Sequence, residues 1–524
     1  MTKITKNGFE DHLKGIKEEA KAKPHGEILK QLMECLGKVD FLDKAFPNHK
    51  ELKNSVQELF EYCGNSENKG NKDYEEKKEK IKVISKKINS MKLMEKHLLI
   101  ISVNEIKKTA KSKNFGLCLN GNFIYLYNGE YWKSIDKKEF EKFLGEASEK
   151  MGVGKFTAEY FQFREKLYKQ FTATGYLPAP NKPKDKVIIN LNNGTFEISN
   201  RPNLRGFRAS DFMRYQLPFS YDSKATAPKF EVYLNRVLPE DDKQKVLAEF
   251  LGYVFIPASR LKLEKALFLY GFGANGKSVL YDIIKALLGD QNTSEYTLQS
   301  LTDTNGYYRA QIADKLVNYA PEINGKLESS KFKSMVSGEP MEARLPYRDP
   351  FIITDYAKLV FNTNELPKDV EFTNAFFRRF IIIPFDVTIP EKEQNKGLAN
   401  EIIKDELPGV FNWVLDGLKR LIENKGFSES QSIDKALNEF RTESDTVKRF
   451  IEEHGYLPDL ENKILLKDLY PEYKQFAFDE GNRVLSKSNF KKRLESHNIQ
   501  IRRESEGIQV YILQKQGENG NPQF

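Results

Sequence analysis

Cysteine is scarce: Cys35, Cys63 and Cys118 are the 3 in 524 residues, and no two form a CxxC. Neither a disulfide framework nor a cysteine zinc site is expected, and a reducing compartment fits. The 6 histidines (His12, His25, His49, His97, His454, His497) form no HxH and no HExxH. That argues against a zinc protease and against nickases that hold a metal between paired histidines, so any metal should arrive with a nucleotide. Long apolar runs are missing too. The clusters at 98–103 and 380–385 fall far short of the ~20 residues a membrane span needs, and residues 1–23 mix lysine and glutamate without an apolar segment. The expectation is a soluble, cytoplasmic chain with no membrane partner.

What is present supports several packed cores. Hydrophobic residues make up 39% of the chain, with 37 Phe and 24 Tyr, which excludes global disorder. At roughly 150 residues per domain the length implies three or four domains. The net charge of +8, from 83 basic against 75 acidic residues, is a weak pointer to an anionic partner, so its location matters more than its size.

Residues 1–95 read as a helical region. Ile28, Leu29, Leu32, Met33 and Leu36 recur at helical spacing, as do Leu52, Val56 and Leu59. The charged stretch 64–80 reads as a solvated linker, and the basic run 82–92 as an exposed helix face or a DNA contact. Residues 96–226 change texture. Asn120-Gly121 and Asn128-Gly129 punctuate short apolar runs, the signature of a small β-meander. A helix over 137–151 follows, then a linker over 172–186 carrying Pro178, Pro180 and Pro183, then a hairpin turning at Asn193-Gly194. Aromatics in so small a sheet read as core before base-stacking platforms. A helical stretch from 227 then leads into the apolar strand 266–270.

That strand ends in Gly271-Phe272-Gly273-Ala274-Asn275-Gly276-Lys277-Ser278, a match to GxxxxGK[ST], and an amphipathic helix with Val279, Leu280, Ile283, Ile284 and Leu287 follows. Strand, loop and helix are all in register with a P-loop. Backbone N–H groups from 271–279 cradle phosphates, Lys277 reaches the β and γ oxygens of ATP, and the Ser278 hydroxyl is the candidate ligand for Mg2+. Downstream, the strand 315–320 runs into Pro321 and Glu322, a carboxylate placed to polarise water, with Asp314 next in line as the base. The strand 359–363 ends at Asn364, an amide fit to sense the γ-phosphate. Arg378 and Arg379 precede a fourth apolar strand, where an arginine can reach a neighbouring subunit's ATP.

The ordered phrases GFGANGKS, LVNYAPE, SGEPMEARLPYRDPF, KLVFNTNELP and FFRRFIIIPF resemble superfamily 3 helicases, in particular the helicase part of phage, plasmid, satellite and poxvirus-type primase-helicases. The resemblance spans about residues 100–524, with DFMRYQLPFSY at 211–221 similar to the lead-in of the motor. It implies an AAA+-like motor over 227–428 that assembles as a ring, a hexamer, and translocates 3′ to 5′ on single-stranded DNA. Lys277 and Ser278 match the nucleotide pair, Glu322 the acidic second motif, Asn364 the sensor and Arg379 most closely the finger, with Arg378 competing. Such helicases carry a channel hairpin between second motif and sensor. Here 340–351 fills that place, with Arg344, Tyr347 and Arg348 as the DNA-gripping set.

The carboxy-terminal 429–514 shows three helices and a hairpin, the order of a winged helix, followed by a tail over 515–524. Between 483 and 503 stand Arg483, Lys487, Lys491, Lys492, Arg493, Arg502 and Arg503 against one acid, Glu495. Of these Lys487, Lys491, Lys492, Arg502 and Arg503 are the candidate duplex contacts. The expected fold is thus multi-domain α+β and α/β. The expected function is an ATP-dependent replicative DNA helicase of a mobile genetic element, acting on single-stranded and forked DNA alongside a separate primase or other replication proteins. An ATP-dependent initiator or loader is the alternative. No clustered metal-binding carboxylates appear in 1–100, so no primase activity is expected.

Overall fold

Strands covered on both faces read as continuous apolar runs. Ala266–Tyr270 (β1) and Phe380–Pro384 (β5) are such runs, Val317–Ala320 (β3) and Lys358–Thr363 (β4) are mainly apolar but carry Asn318 and Asn362, and Thr293–Ser294 (β2) is a short edge piece. In the computed structural model the five form one sheet in the order β5-β1-β4-β3-β2, parallel throughout. The structure describes residues 24–120, 123–174, 186–198, 203–320, 327–346, 349–367, 370–482 and 484–515. They divide into two units, one drawn from the chain up to 183 with 204–216, the other from 184–203 and 217 onward.

In the first unit the meander Gly116–Asn120, Phe123–Tyr127 and Trp132–Ser134 is antiparallel and buried on both faces. Leu117, Leu119, Ile124 and Leu126 point into a core shared with Ile28, Leu32, Val103, Ile106, Phe140, Leu144 and Phe163 from the surrounding helices. Cys118, Tyr125, Tyr127 and Trp132 point the other way, onto Ala209 and Phe212. The meander aromatics are therefore core. This packing cuts across the expected boundaries: the helices His25–Glu34 and Glu95–Ser112 belong to the same core as the meander, because a two-faced sheet needs cover from both sides. The expected linker over 64–80 is also corrected. It is a 3-10 turn, Ser66–Gly70, leading into the helix Tyr74–Asn89, pinned by Tyr62 donating to Asp73 at 3.0 Å and by Lys77 over the Tyr62 ring.

The hairpin Val187–Leu191 and Gly194–Ile198 belongs to the second unit, where Phe196 meets Tyr221, and Tyr221 and Phe219 meet Phe411. One face of the parallel sheet, with Phe268, Phe361, Phe380 and Ile382, packs on Phe332, Phe376 and Phe440. Phe440 lies on the helix Gln431–Glu443, which therefore completes the sheet's core, although the sequence boundary at 429 assigned it to the next domain. On the sheet's flank the helices Asp241–Tyr253 and Leu407–Asn424 approach so closely that a Cβ at Gly417 would sit 2.4 Å from the Ala248 carbonyl carbon. Between β3 and β4, Met341–Ala343 pairs antiparallel with Phe351–Ile353 as a two-stranded hairpin.

The carboxy-terminal module runs helix Thr446–Glu453, strand Tyr456–Leu465, helices Leu466–Asp479 and Lys487–Ser496, then strands Ile501–Glu504 and Gly507–Gln514. Its last strand is central in the three-stranded sheet. Phe450, Leu469, Tyr473, Phe490, Leu494, Val510 and Ile512 form its core. The three helices and the hairpin match expectation, whereas the strand Tyr456–Leu465 was not read from the sequence. Among the described residues no helix is long and apolar enough to cross a membrane.

Candidate nucleotide site

In open parallel sheets ligands gather beyond the carboxyl ends of the strands, and there the loop 271–276 leads from β1 into the helix Lys277–Leu288. The turn needs left-handed backbone at Gly276 (φ +86°), where a Cβ would also meet Val237 Cγ1 at 2.7 Å. The loop is tied down on three sides. Gly271 N–H donates to Thr363 O at the end of β4 (3.2 Å), Ile389 N–H to Ala274 O (2.7 Å), and the Tyr233 hydroxyl to Gly276 O (2.8 Å). Asn275 adds an Nδ2 bond to Phe385 O (3.2 Å). Burial pushes the Tyr233 phenol well above its ordinary pKa, so it stays a neutral donor.

Lys277 is buried and turned back onto the loop. Its Nζ donates to the Gly271 carbonyl, to Phe272 O at 3.4 Å and to Asn275 Oδ1 at 3.2 Å. Burial lowers its pKa. Among the described residues the partners of this ammonium are all neutral carbonyls, so an entering phosphate can supply its counter-charge. Ser278 is exposed beside it, and so are Gly273 and Ala274.

These residues line a cavity of about 1170 Å3, roughly the upper size for small-molecule sites. Its lining takes in the loop residues 273–279, Asn362 and Thr363 of β4, and Asn364 in the turn after it. Val232 and Tyr233 of the helix Pro228–Val237 complete it with Ile389 and Leu398, Tyr233 and Ile389 being bonded to the loop itself. Two ion pairs, Arg236 with Glu393 and Lys229 with Glu401 (2.9 Å), link that helix to the 389–401 wall. Loop N–H donors beside aromatic and aliphatic side chains suit a nucleoside polyphosphate. Sequence reading had not found Tyr233, Asn362 or the 389–401 wall. Tyr233 lies in an ordinary helical stripe, and the wall lies more than a hundred residues beyond the loop.

Asn364 lines the cavity as expected, on an exposed bend. Glu322, with Pro321, lies outside the described residues, as do Tyr347, Arg348 and Arg483. Asp314 precedes β3 and so stands at the end of the sheet remote from the loop. The two arginines differ sharply. Arg379 is 7% exposed and donates to Ser337 Oγ (2.8 Å) and Ala375 O, with Glu264 Oε2 at 3.2 Å. Arg378 is 56% exposed and meets the same Glu264 oxygen at 2.6 Å. Burial raises the Glu264 carboxyl, but Arg379, Lys262 and Arg378 outweigh it and hold it below its ordinary range. Both arginines precede β5, whose Phe380 pairs with Ala266 and Pro384 with Tyr270. They are therefore one strand length, about 16 Å at about 3.3 Å per residue, from the chain's own loop.

Arg344 follows the first strand of the 341–353 hairpin, exposed, with its N–H on Gly306 O at 3.1 Å. Arg309, buried, donates to Glu342 O (2.9 Å) and Leu301 O (3.1 Å) and so clamps the hairpin base. On the carboxy-terminal module Lys487, Lys492, Arg502 and Arg503 are exposed, and Lys491 pairs with Glu495 at 3.6 Å. They do not share one face. Lys492, with Asn489, Arg493 and Ser496, lines a second cavity of about 1250 Å3 facing 364–367 and 370–373, while Lys487 and Lys491 lie off it. Arg493 is anchored there by Asp445 (2.8 Å) and sits 3.2 Å over the Phe372 ring.

Residues 92–239 match the family described as D5 N terminal like, and residues 269–379 match a family of unknown function, DUF5906. The chain is 23% identical over 337 residues to the Putative helicase 121R of Invertebrate iridescent virus 3, covering 56% of this chain and 35% of that protein. It is 22% identical over 350 residues to the Putative helicase L207/L206 of Acanthamoeba polyphaga mimivirus, covering 60% and 35%. It thus spans about a third of the length of these relatives. Among solved structures, the A form of the apo NrS-1 C terminal region aligns with 78% of this chain and 98% of that one, at 12% identity and a TM-score of 0.42. Another apo structure of the same region aligns at 13% identity and a TM-score of 0.40.

Proposed function

We propose that this chain is the ATP-hydrolysing motor of a viral-type replicative DNA helicase of superfamily 3, working as a ring. The observation that carries the reading is the cavity itself: a glycine-rich loop and buried Lys277 at the carboxyl end of a parallel sheet, with the β4 amides alongside. The relatives' helicase names point the same way. The loop N–H groups and Lys277 bind the phosphates, with Lys277 exchanging its carbonyl partners for β and γ oxygens. The Ser278 hydroxyl, exposed beside Lys277, suits Mg2+, which when bound neutralises phosphate charge. Glu322 orients and deprotonates the attacking water, and Asn364 hydrogen-bonds the γ-phosphate or that water. An arginine one strand length from its own loop serves a neighbouring subunit, which makes the ring part of the reading. Of the two, exposed Arg378 is the fitting finger, in place of Arg379, because Arg379 is enclosed. The 341–353 hairpin, with Arg344, Tyr347 and Arg348, is the single-strand contact. The carboxy-terminal module is a winged helix that engages duplex through Lys487, Lys491, Arg502 and Arg503, with Lys492, turned to the groove, contributing less.

The test is DNA-stimulated ATP hydrolysis and strand displacement on forked DNA. Lys277→Ala should abolish both, and Glu322→Gln should retain ATP binding while stalling turnover. Normal hydrolysis by Lys277→Ala would overturn the site. Wild-type hydrolysis with no displacement on any fork would instead favour a loader.

A further inference from the structure

A second amide stands two residues before Asn364 in a more constrained setting. Asn362 is on β4, opposite Leu269 of the loop strand, and is 7% exposed among apolar neighbours. Val360 pairs with Tyr319 of β3, and side chains alternate along a strand, so Asn362 shares the Tyr319 side of the sheet. Tyr319 packs edge-on against Tyr281, placing both on the face covered by the helix that follows the loop. Asn362 also lines the cavity with residues 273–279.

Putting an amide inside an apolar strand costs roughly 1–3 kcal/mol unless its polar atoms are bonded. Half of that requirement is met. The Tyr319 hydroxyl, fully buried, donates to Asn362 Oδ1 at 2.9 Å. Burial drives the Tyr319 phenol far above its ordinary pKa, so at neutral pH it remains a donor and holds the amide oxygen toward itself. The NH2 group has no protein partner among the described residues and is the part left for the cavity. Asn364, by contrast, sits on an exposed bend beyond the end of β4. Preorganised donors on strands hold a phosphate better than mobile ones on loops.

Resting on the nucleotide-site reading above, we propose that Asn362 donates to the terminal phosphate of the bound nucleoside triphosphate and that Tyr319 is the positioning residue that aims it. Asn362 then distinguishes triphosphate from diphosphate, and Tyr319 acts on turnover without touching nucleotide.

The experiment uses the full chain, with Mg-ATP and Mg-ADP affinities and steady-state hydrolysis for Asn362→Asp, Tyr319→Phe and Lys277→Ala. Asn362→Asp keeps the size and the acceptor for Tyr319 but exchanges donors for negative charge. It should weaken ATP about tenfold or more, roughly one lost charge-assisted bond, and change ADP less than about threefold. Tyr319→Phe should lower kcat about fivefold with KM nearly unchanged, and its unaltered ADP affinity shows that the site is folded. Equal weakening of both nucleotides by Asn362→Asp, or wild-type kcat in Tyr319→Phe, overturns the proposal. If Asn362→Asp does not fold, Tyr319→Phe decides alone. Loss of both nucleotides in Lys277→Ala alongside unchanged ATP-to-ADP selectivity in Asn362→Asp sinks this inference and spares the site. Retention of both nucleotides in Lys277→Ala sinks the site itself.

Discussion

Replacing each arginine before β5 by alanine should separate fold from function. Arg379→Ala removes a buried cation with two hydrogen bonds, to Ser337 Oγ and Ala375 O, and its share of Glu264. Bonds of a charged group contribute about 1.5–3 kcal/mol each. The loss is offset in part, because Arg379 Nε is buried without a partner and Glu264 keeps Arg378 and Lys262. A net loss of about 3 kcal/mol follows, at the low end for breaking a buried pair. Arg378→Ala removes an exposed pair and should cost under about 1 kcal/mol. Native-state hydrogen exchange of the 380–383 amides reads this locally. Protection should drop by about two orders of magnitude in Arg379→Ala and by less than one in Arg378→Ala. Hydrolysis should show the opposite order per folded molecule. Arg378→Ala should lose about 10^3-fold of DNA-stimulated turnover, and mixing it with Lys277→Ala subunits should restore a part, since one intact shared site reappears. If Arg379→Ala keeps full protection yet loses turnover that mixing rescues, Arg379 is the finger and the argument from burial is wrong.

Two further outcomes follow from charge. Burial pulls His25 down to about 4, against the Tyr131 carbonyl, which favours its charged form, and with Lys133, which does not. The unfolded chain, with a pKa near 6.5, then binds the extra proton first, so stability is full above about pH 6.5 and falls by up to about 3 kcal/mol as the pH drops toward 4. Thermal melts of His25→Phe should show this slope flattened, and an unchanged slope would refute the assignment. On the carboxy-terminal module, neutralising Arg502 and Arg503 should each flatten the salt dependence of duplex binding by about 0.9 and leave basal ATP hydrolysis intact. Lys492→Ala should do less, because Lys492 lines the groove facing 364–367 and 370–373. An equal effect from Lys492→Ala would mean that this groove opens to DNA.

The sequence by itself determined those features whose information is local. Loop 271–276 was legible because its glycines, its lysine and the apolar strand before it are contiguous. The four long strands of the sheet were legible because each is built mainly of apolar residues, as burial on both faces favours. Asn364 was found because it ends such a strand. The tertiary structure alone decided everything that depends on who packs against whom. The strand Tyr456–Leu465 carries Pro458, Asp459 and Glu461 and no alternating pattern, so only its pairing with Gly507–Gln514 makes it a strand. The helix Gln431–Glu443 joined the sheet's core through Phe440, a contact no spacing announces. Arg378 and Arg379 are adjacent and chemically identical, and only the positions of Glu264 and Ser337 make one exposed and the other enclosed. Asn362 and Tyr319 are 43 residues apart and became a pair when β3 and β4 were laid side by side. Motifs are written in adjacent residues, whereas burial, ion pairing and the aim of a polar side chain are set by neighbours that the chain supplies from far away.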